Sequence, residues 1–423
     1  MPFRFIHTAD IHLDSPLRSL ALRNSDLAAL IGDATRRALV GIVDLCLEEA
    51  VDALLIAGDL YDGDQTSMKT ARFLGDQLAR LDQAGIAVFI IRGNHDALSR
   101  ITQELILPPS VRVFGGRADV LSLTAGALEV AVHGLSFARP QAPDSLLPKY
   151  RAPVPGAVNI GLMHTSLAGA AGHDVYAPCA LGDLHGSGFD YWALGHIHKR
   201  TDHSSSVGGT STVIMPGMPQ GRDIGEAGEK TVTLVTVGDD RSVTVEQRPT
   251  AIAEFARVAV DLTNVDNWGD AVGQAETALA DARESCGAQH LVARVGLSGA
   301  TPLSWRLRRD ADLFATELEQ RGERLGQLWI DKVEMAVGQP AHDAPDDGDP
   351  LAELAGLMGD GTPDDLRAAV RALVEGVRDD LPPDARGFAG NDAEEFEAYL
   401  DQLLAEGGAD VLARLATPDG GAL

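Results

Sequence analysis

The chain is poor in cysteine, has no long apolar run and is short of bases. Its three cysteines, Cys46, Cys179 and Cys286, are scattered and odd in number. That argues against a disulfide framework or a zinc-finger array, fits a reducing compartment, and leaves all three as packing residues. No apolar stretch approaches the roughly 20 residues that crossing a bilayer requires. The opening Met1-Pro2-Phe3-Arg4 leads straight into a strand pattern, without a charged region followed by an apolar one. A cytoplasmic protein with no membrane contact is expected. Lysine and arginine number 35 against 62 acids, a net charge of −27, which opposes unaided binding of a polyanion over the surface as a whole. More than half of that excess is local, because residues 336–423 hold 20 acids and 5 bases, a net of −15.

What is present is a series of short apolar runs. A length of 423 residues is too great for one ordinary core and predicts two or three domains. Residues 3–8, 53–57, 86–91, 158–163 and 190–194 are apolar, too brief for helices, and bounded by Gly, Asp or His. Between them, Arg36 to Val51 places Leu39, Val40, Val43, Leu47 and Ala50 at helical spacing, and Thr70 to Ala84 behaves similarly. Alternating strands over 111–137, with 212–215 and 230–237, complete an α/β fold of four α-β-β-α layers over residues 1–250. Residues 251–337 read as a smaller α/β domain, with strands at 255–262, 290–298 and 328–337 and helices at about 267–285 and 302–321. The last part, 338–423, reads as an acidic linker, Asp343 to Asp349, followed by a helical tail. Its two apolar stripes are Leu366, Val370, Leu373 and Val377, then Phe396, Tyr399, Leu400 and Leu403. These helices dock either on the preceding domain or on a partner.

Each of the five runs delivers a motif immediately after its last residue, where open α/β sheets place their ligands. The motifs are Asp10-Ile11-His12, Gly58-Asp59-Leu60-Tyr61-Asp62, Gly93-Asn94-His95-Asp96, His164, and Gly195-His196-Ile197-His198. They supply hard oxygen and borderline nitrogen donors, the set for two divalent metals that activate water at a phosphoester. Asp10 and His12 reach one metal, and Asp59 is the natural bridge between two cations about 3.5–4 Å apart. Asn94 offers a carbonyl oxygen to the second metal, while His164, His196 and His198 complete the set. The turn allowed by Gly195 is expected to send His196 and His198 to adjacent metals. His95 is placed to protonate the leaving oxygen, with Asp62 holding its tautomer. Asp96 serves the turn. Arg306, Arg308 and Arg309 beside Trp305 form a basic and aromatic cluster suited to a phosphate backbone, or simply a solvated helix face.

The five motifs resemble the calcineurin-like metallophosphoesterase superfamily. More narrowly, the segments 7–16, 57–62 and 216–222 resemble the bacterial YhaO-type DNA repair exonucleases, which are similar to SbcD and to the Mre nuclease. The resemblance is strong to about residue 250, looser through the second unit, which looks like that family's capping domain, and weak after Gly338. It implies that Asp10, His12, Asp59 and His198 bind one metal and that Asp59, Asn94, His164 and His196 bind the other, with manganese as the ion. It also implies His95 as catalytic acid, an SMC-like coiled-coil ATPase partner, and dimerisation. Asp62 stands where archaeal and eukaryotic nucleases tend to carry His, which leaves strand and end preference open. Arg222 joins Arg306, Arg308 and Arg309 as a candidate substrate contact. A manganese-dependent DNA exonuclease is therefore expected. The alternatives are a phosphatase or small-molecule phosphodiesterase on the same site, or a non-catalytic scaffold that regulates an ATPase.

Overall fold

The computed structural model describes residues 2–15, 25–61, 67–97, 106–167, 175–204, 211–340, 354, 363–381, 383–390 and 392–415. The chain divides into two compact units, one of residues 1–256 with 283–292, the other of residues 257–282 with 293–423.

The first unit opens with β1 (Phe3–Thr8), α1 (Ser25–Glu48), β2 (Ala53–Ala57), α2 (Met68–Gln83), β3 (Ala87–Ile91) and β4 (Val111–Val113). These are followed by β5 (Asp119–Ala125), β6 (Leu128–Gly134), β7 (Val158–His164), α3 (Leu181–Gly186), β8 (Tyr191–Gly195), β9 (Thr201–Asp202) and β10 (Thr212–Met215). The chain then returns through β11 (Thr231–Val237) and β12 (Val243–Pro249). Two six-stranded sheets result, ordered β12-β11-β1-β2-β3-β4 and β5-β6-β7-β8-β10-β9. The β1 to β4 run and the β6-β7-β8-β10 run are parallel, which sets their carboxyl ends on one edge of each sheet.

Alternation within the strands builds the layers. Phe5, Leu55 and Phe89 point between the sheets, against Val132, Ile160, Leu162 and Tyr191. Their neighbours Ile6, Leu54, Ile56 and Ile90 point outward, onto Leu39, Ile42 and Val43 of α1 and Leu74 and Leu78 of α2. Strands buried on both faces read as continuous apolar runs, which is why these were legible. Beyond the second sheet, Met163, Trp192 and Leu194 are covered by Leu184 of α3 and by Phe189 and Cys179, so this outer layer is thin. The helix α1 begins at Ser25 rather than Arg36, because Leu27, Ile31, Ala34 and Ala38 extend the buried stripe at helical spacing.

The second unit is built on a three-stranded sheet, β13 (Ala253–Asp261), β14 (His290–Ala300) and β15 (Leu328–Gly338), in that order. Its helices are α4 (Trp268–Ser285), α5 (Ser304–Arg309) and α6 (Ala311–Leu325). The single helix expected over 302–321 is broken at Asp310, whose φ −105° and ψ 32° leave the helical region. The tail forms α7 (Asp364–Asp380) and α8 (Ala393–Leu415), and α8 packs on α5. The acidic run Asp343 to Asp349 lies outside the described residues. On α7 the inward face differs from the expected stripe. Val374 is buried with Phe396 and Leu400, and Arg367 and Arg371 pair with Glu397. Of the expected stripe Val370 packs against this cluster, whereas Leu366, Leu373 and Val377 face outward.

Candidate metal centre

The loops that follow the strands adopt backbone that L side chains rarely take. Asp10 (φ 54°), His12 (φ 46°), Asp59 (φ 52°) and His196 (φ 105°) all lie at positive φ, a cost of order 1–3 kcal/mol each that persists only where the surroundings enforce it. The enforcement is main chain to main chain. Asp10 N donates to Gly58 O at 3.0 Å, His12 N to Asp59 O at 3.0 Å and Leu13 N to Leu60 O at 2.9 Å, which zips the first two motif loops together. Asp14 extends this brace, accepting both Arg36 Nε and a terminal nitrogen at 2.6 Å. The turn expected at Gly195 is made instead by His196. Gly195 is needed for space, since a Cβ there would lie 2.1 Å from Ala57 O.

These loops bring the acceptors of six motif residues to one place and set His196 alongside. His164 Nδ1 donates to Ala57 O at 2.9 Å, so Nε2 is the nitrogen whose lone pair is offered once the ring is neutral. That atom faces two further acceptors, Asp59 Oδ2 at 3.2 Å and Asn94 Oδ1 at 3.0 Å. His198 Nδ1 donates to Glu226 Oε1 at 2.8 Å, and its Nε2 then lies 3.2 Å from His12 Nε2. Two groups form, Asp10 with His12 and His198, and Asp10 with Asp59 and His164, and within each group one donor atom per residue lies within 4.8 Å of the others. Asp10 accepts the His196 main-chain N–H on both oxygens, at 3.1 and 3.0 Å, and the His196 ring stands 5.2 Å from that of His164. Lone pairs that face one another in a buried place need a proton or a metal cation between them, and this set of oxygen and imidazole donors fits divalent metal.

The electrostatics agree. Burial opposes ionisation of Asp59, but His164, by charge and hydrogen bond, and His12 outweigh it and hold the carboxyl well below the usual range. Burial likewise opposes the charged form of His164, yet Asp59 and Asp10 raise its imidazole to about 9. In the metal-free chain a proton on His164 thus does part of a cation's work. Asp96 is fully buried and pushed up to about 7, by burial first and by the Asp59 charge. It accepts from Gly93 N at 2.7 Å and Leu60 N at 3.0 Å, tying the second and third motif loops together as its turn role requires.

His95 is exposed, with its main-chain N–H on Asp59 Oδ1 at 3.0 Å and its ring perpendicular to His12 at 4.9 Å. Asp62, its expected partner, lies outside the described residues. Arg222, read as a substrate contact, is directed at Glu226, to which it donates at 2.7 and 3.2 Å. Glu226 was not singled out from the sequence; its position four residues after Arg222 on a tight turn was the available signal. The arginines of α5 are also partnered: Arg306 lies 4.8 Å over the Trp268 ring, Arg308 is 3.8 Å from Asp410, and Arg309 is 2.9 Å from Asp310. They belong to the second unit, while every motif residue belongs to the first.

Residues 3–200 match the family model "Calcineurin-like phosphoesterase", and residues 255–338 match "Metallophosphoesterase YhaO, middle domain". The chain is 32% identical over 331 residues to the uncharacterized metallophosphoesterase YhaO of Bacillus subtilis, which spans 77% of this chain and 79% of that protein. It is 23% identical over 416 residues to the DNA double-strand break repair protein Mre11 of Methanopyrus kandleri, 92% and 85% of the two chains. Over 134 residues, 31% and 30% of the two chains, it is 33% identical to a component of the SbcCD nuclease of Rhodobacter capsulatus. With both parts of its length matched in order, the chain belongs to the calcineurin-like metallophosphoesterase family, hydrolases that use divalent metals.

Proposed function

We propose that this protein is a two-metal, manganese-dependent DNA exonuclease that acts in DNA repair with an SMC-like coiled-coil ATPase. The observation that carries the reading is the convergence of acceptor atoms from Asp10, His12, Asp59, Asn94, His164 and His198 at the carboxyl ends of parallel strands. DNA is suggested by the Methanopyrus and Rhodobacter relatives, one named for double-strand break repair and the other for a nuclease complex of which it is one component.

In this reading Asp10, His12, Asp59 and His198 hold one ion, and Asp59, Asn94, His164 and His196 hold the other. When bound, the two ions activate water and neutralise charge at a backbone phosphodiester. The chain's own groups orient and move protons. Buried Asp59 and Asp96 fix the loops, and His95, exposed beside His12, donates a proton to the departing sugar oxygen. Asp62 keeps that imidazole in the donating tautomer. Leu366, Leu373 and Val377 on the outer face of α7 are the candidate contact for the ATPase; unchanged ATPase recovery with Leu373→Asp would sink that assignment.

One observation favours a smaller substrate. The chain carries −27 overall, and the arginines of α5 are largely spent on Asp310, Asp410 and Trp268. A phosphatase or small phosphodiesterase is therefore the second reading. Purified protein with Mn²⁺ is offered labelled linear duplex, single-stranded DNA and a chromogenic phosphodiester, beside His95→Ala. Cleavage of DNA that the variant loses supports the exonuclease. Turnover of the chromogenic ester alone supports the second reading, and no turnover with any metal leaves a scaffold.

A further inference from the structure

The segment Arg222 to Glu226 ends in a short turn, Ile224–Glu226, capped by the Asp223 side chain, which accepts from Gly225 N at 2.7 Å. Glu226 is the hub of a polar chain. Its Oε1 accepts from His198 Nδ1 at 2.8 Å and from an Arg222 terminal nitrogen at 2.7 Å. Its Oε2 accepts from the Arg222 main-chain N–H at 2.8 Å and from Nε at 3.2 Å. The other terminal nitrogen of Arg222 donates to Ser15 Oγ at 3.2 Å, and Ser15 N returns to His12 O at 3.0 Å.

We infer that Glu226 is a positioning residue for His198 and that Arg222 is the clamp that holds Glu226, so this segment serves the position formed by Asp10, His12 and His198. The inference rests on the reading that those three side chains hold a divalent ion. Three observations carry it. A carboxylate can only accept, so the Nδ1–H of His198 is fixed and its Nε2 lone pair is the one presented beside His12. His198 keeps 30% of its side chain exposed while Asp10 and His12 are fully buried, so its ring is held less by packing than theirs and the bond to Glu226 fixes which nitrogen faces His12. Finally, the guanidinium meets the carboxylate as a fork, a geometry that lysine does not reproduce. Through Ser15 the same network braces the loop carrying Asp10 and His12, so both walls of the position are held by one chain of bonds.

The test measures Mn²⁺ uptake by the full-length chain, with calorimetry for affinity and stoichiometry and Co²⁺ absorption as a reporter of geometry. Glu226→Ala should weaken one equivalent by about 10–100-fold, leave the other at wild-type affinity and alter the Co²⁺ spectrum. Glu226→Gln, whose amide oxygen still accepts from Nδ1–H, should recover part of the loss. Arg222→Lys should weaken the same equivalent less than Glu226→Ala does. Both equivalents at wild-type affinity in Glu226→Ala overturn the inference; if that variant does not fold, the same result in Arg222→Lys does so. An Arg222→Lys effect confined to KM for DNA, with Mn²⁺ uptake unchanged, also overturns it by returning Arg222 to the substrate. A wild-type chain that takes up no Mn²⁺ defeats the underlying metal reading, and is distinguished from these outcomes without any variant.

Discussion

The Nε2 atom of His164 lies 3.2 Å from Asp59 Oδ2 while the other ring nitrogen is committed to the Ala57 carbonyl. The atom a metal would need is therefore the atom that carries the proton in the metal-free chain, where Asp59, against the effect of burial, raises the imidazole to about 9. Below that pH metal uptake must expel a proton. Mn²⁺ affinity should then fall as pH is lowered from 9, by up to about tenfold per unit. Calorimetry at pH 6.5, 7.5 and 8.5 in buffers of different ionisation heat measures the released proton; affinity independent of pH contradicts the assignment. The metal-free fold gives the matching sign. Its pKa is raised above the ordinary 6.5, so His164 stabilises it fully below that value and the contribution is lost as pH rises through about 9.

His7 should show the opposite sign. It bridges the two sheets, with Nε2 donating to Leu194 O at 3.0 Å and Nδ1 accepting from the Tyr191 hydroxyl at 2.9 Å. Burial, partly offset by the Leu194 hydrogen bond, lowers its pKa to about 3. The folded chain keeps His7 neutral, while the unfolded chain protonates it below about 6.5. Its stabilisation is present above 6.5 and lost as pH falls toward 3, at up to about 1.4 kcal/mol per pH unit. Urea unfolding at pH 4.5, 5.5 and 6.5 should give a steeper acid dependence for wild type than for His7→Gln. Parallel curves would remove His7 as a source of acid sensitivity.

Gly195→Ala tests the close approach of two loops. The added Cβ would lie 2.1 Å from Ala57 O and 3.0 Å from His164 Nδ1, the two atoms of the bond that orients His164. Overpacking of this kind costs about 1–3 kcal/mol, and here it should also weaken metal uptake. Thermal unfolding of the metal-free variant and its Mn²⁺ affinity are the two readouts. An unshifted melting temperature would mean that the loops give way freely.

How much of this was legible in the sequence depends on how far apart the partners lie. The strands that lead to Asp10, Asp59, Asn94, His164 and His196 are short apolar runs buried on both faces, and the structure places them within a residue of expectation. Their motifs converge because parallel strands share a carboxyl edge. What pattern alone could not supply was pairing. Nothing local announces that Glu226 orients His198, or that Asp410 faces Arg308 about a hundred residues earlier. A cluster of bases reads as free until the acids that occupy it are known. On α7, spacing identified the helix but not its buried side, because Arg367, Arg371 and Arg378 turned inward with Val374. The pairing of Asp62 with His95 lies outside the described residues.

His95 offers a prediction that separates proton transfer from metal binding. Its side chain is exposed and it lies outside both groups of converging carboxylates and imidazoles, so His95→Ala should keep the fold and wild-type Mn²⁺ affinity. If it donates the proton to the leaving oxygen, the loss must depend on how much that oxygen needs one. A sugar alkoxide is a poor leaving group, and kcat on a nucleotide phosphodiester should drop about 10²–10⁴-fold. Nitrophenolate departs without protonation, so the same variant should lose much less on a nitrophenyl phosphodiester. An equal loss on both esters would assign His95 to holding the substrate phosphate rather than to moving a proton.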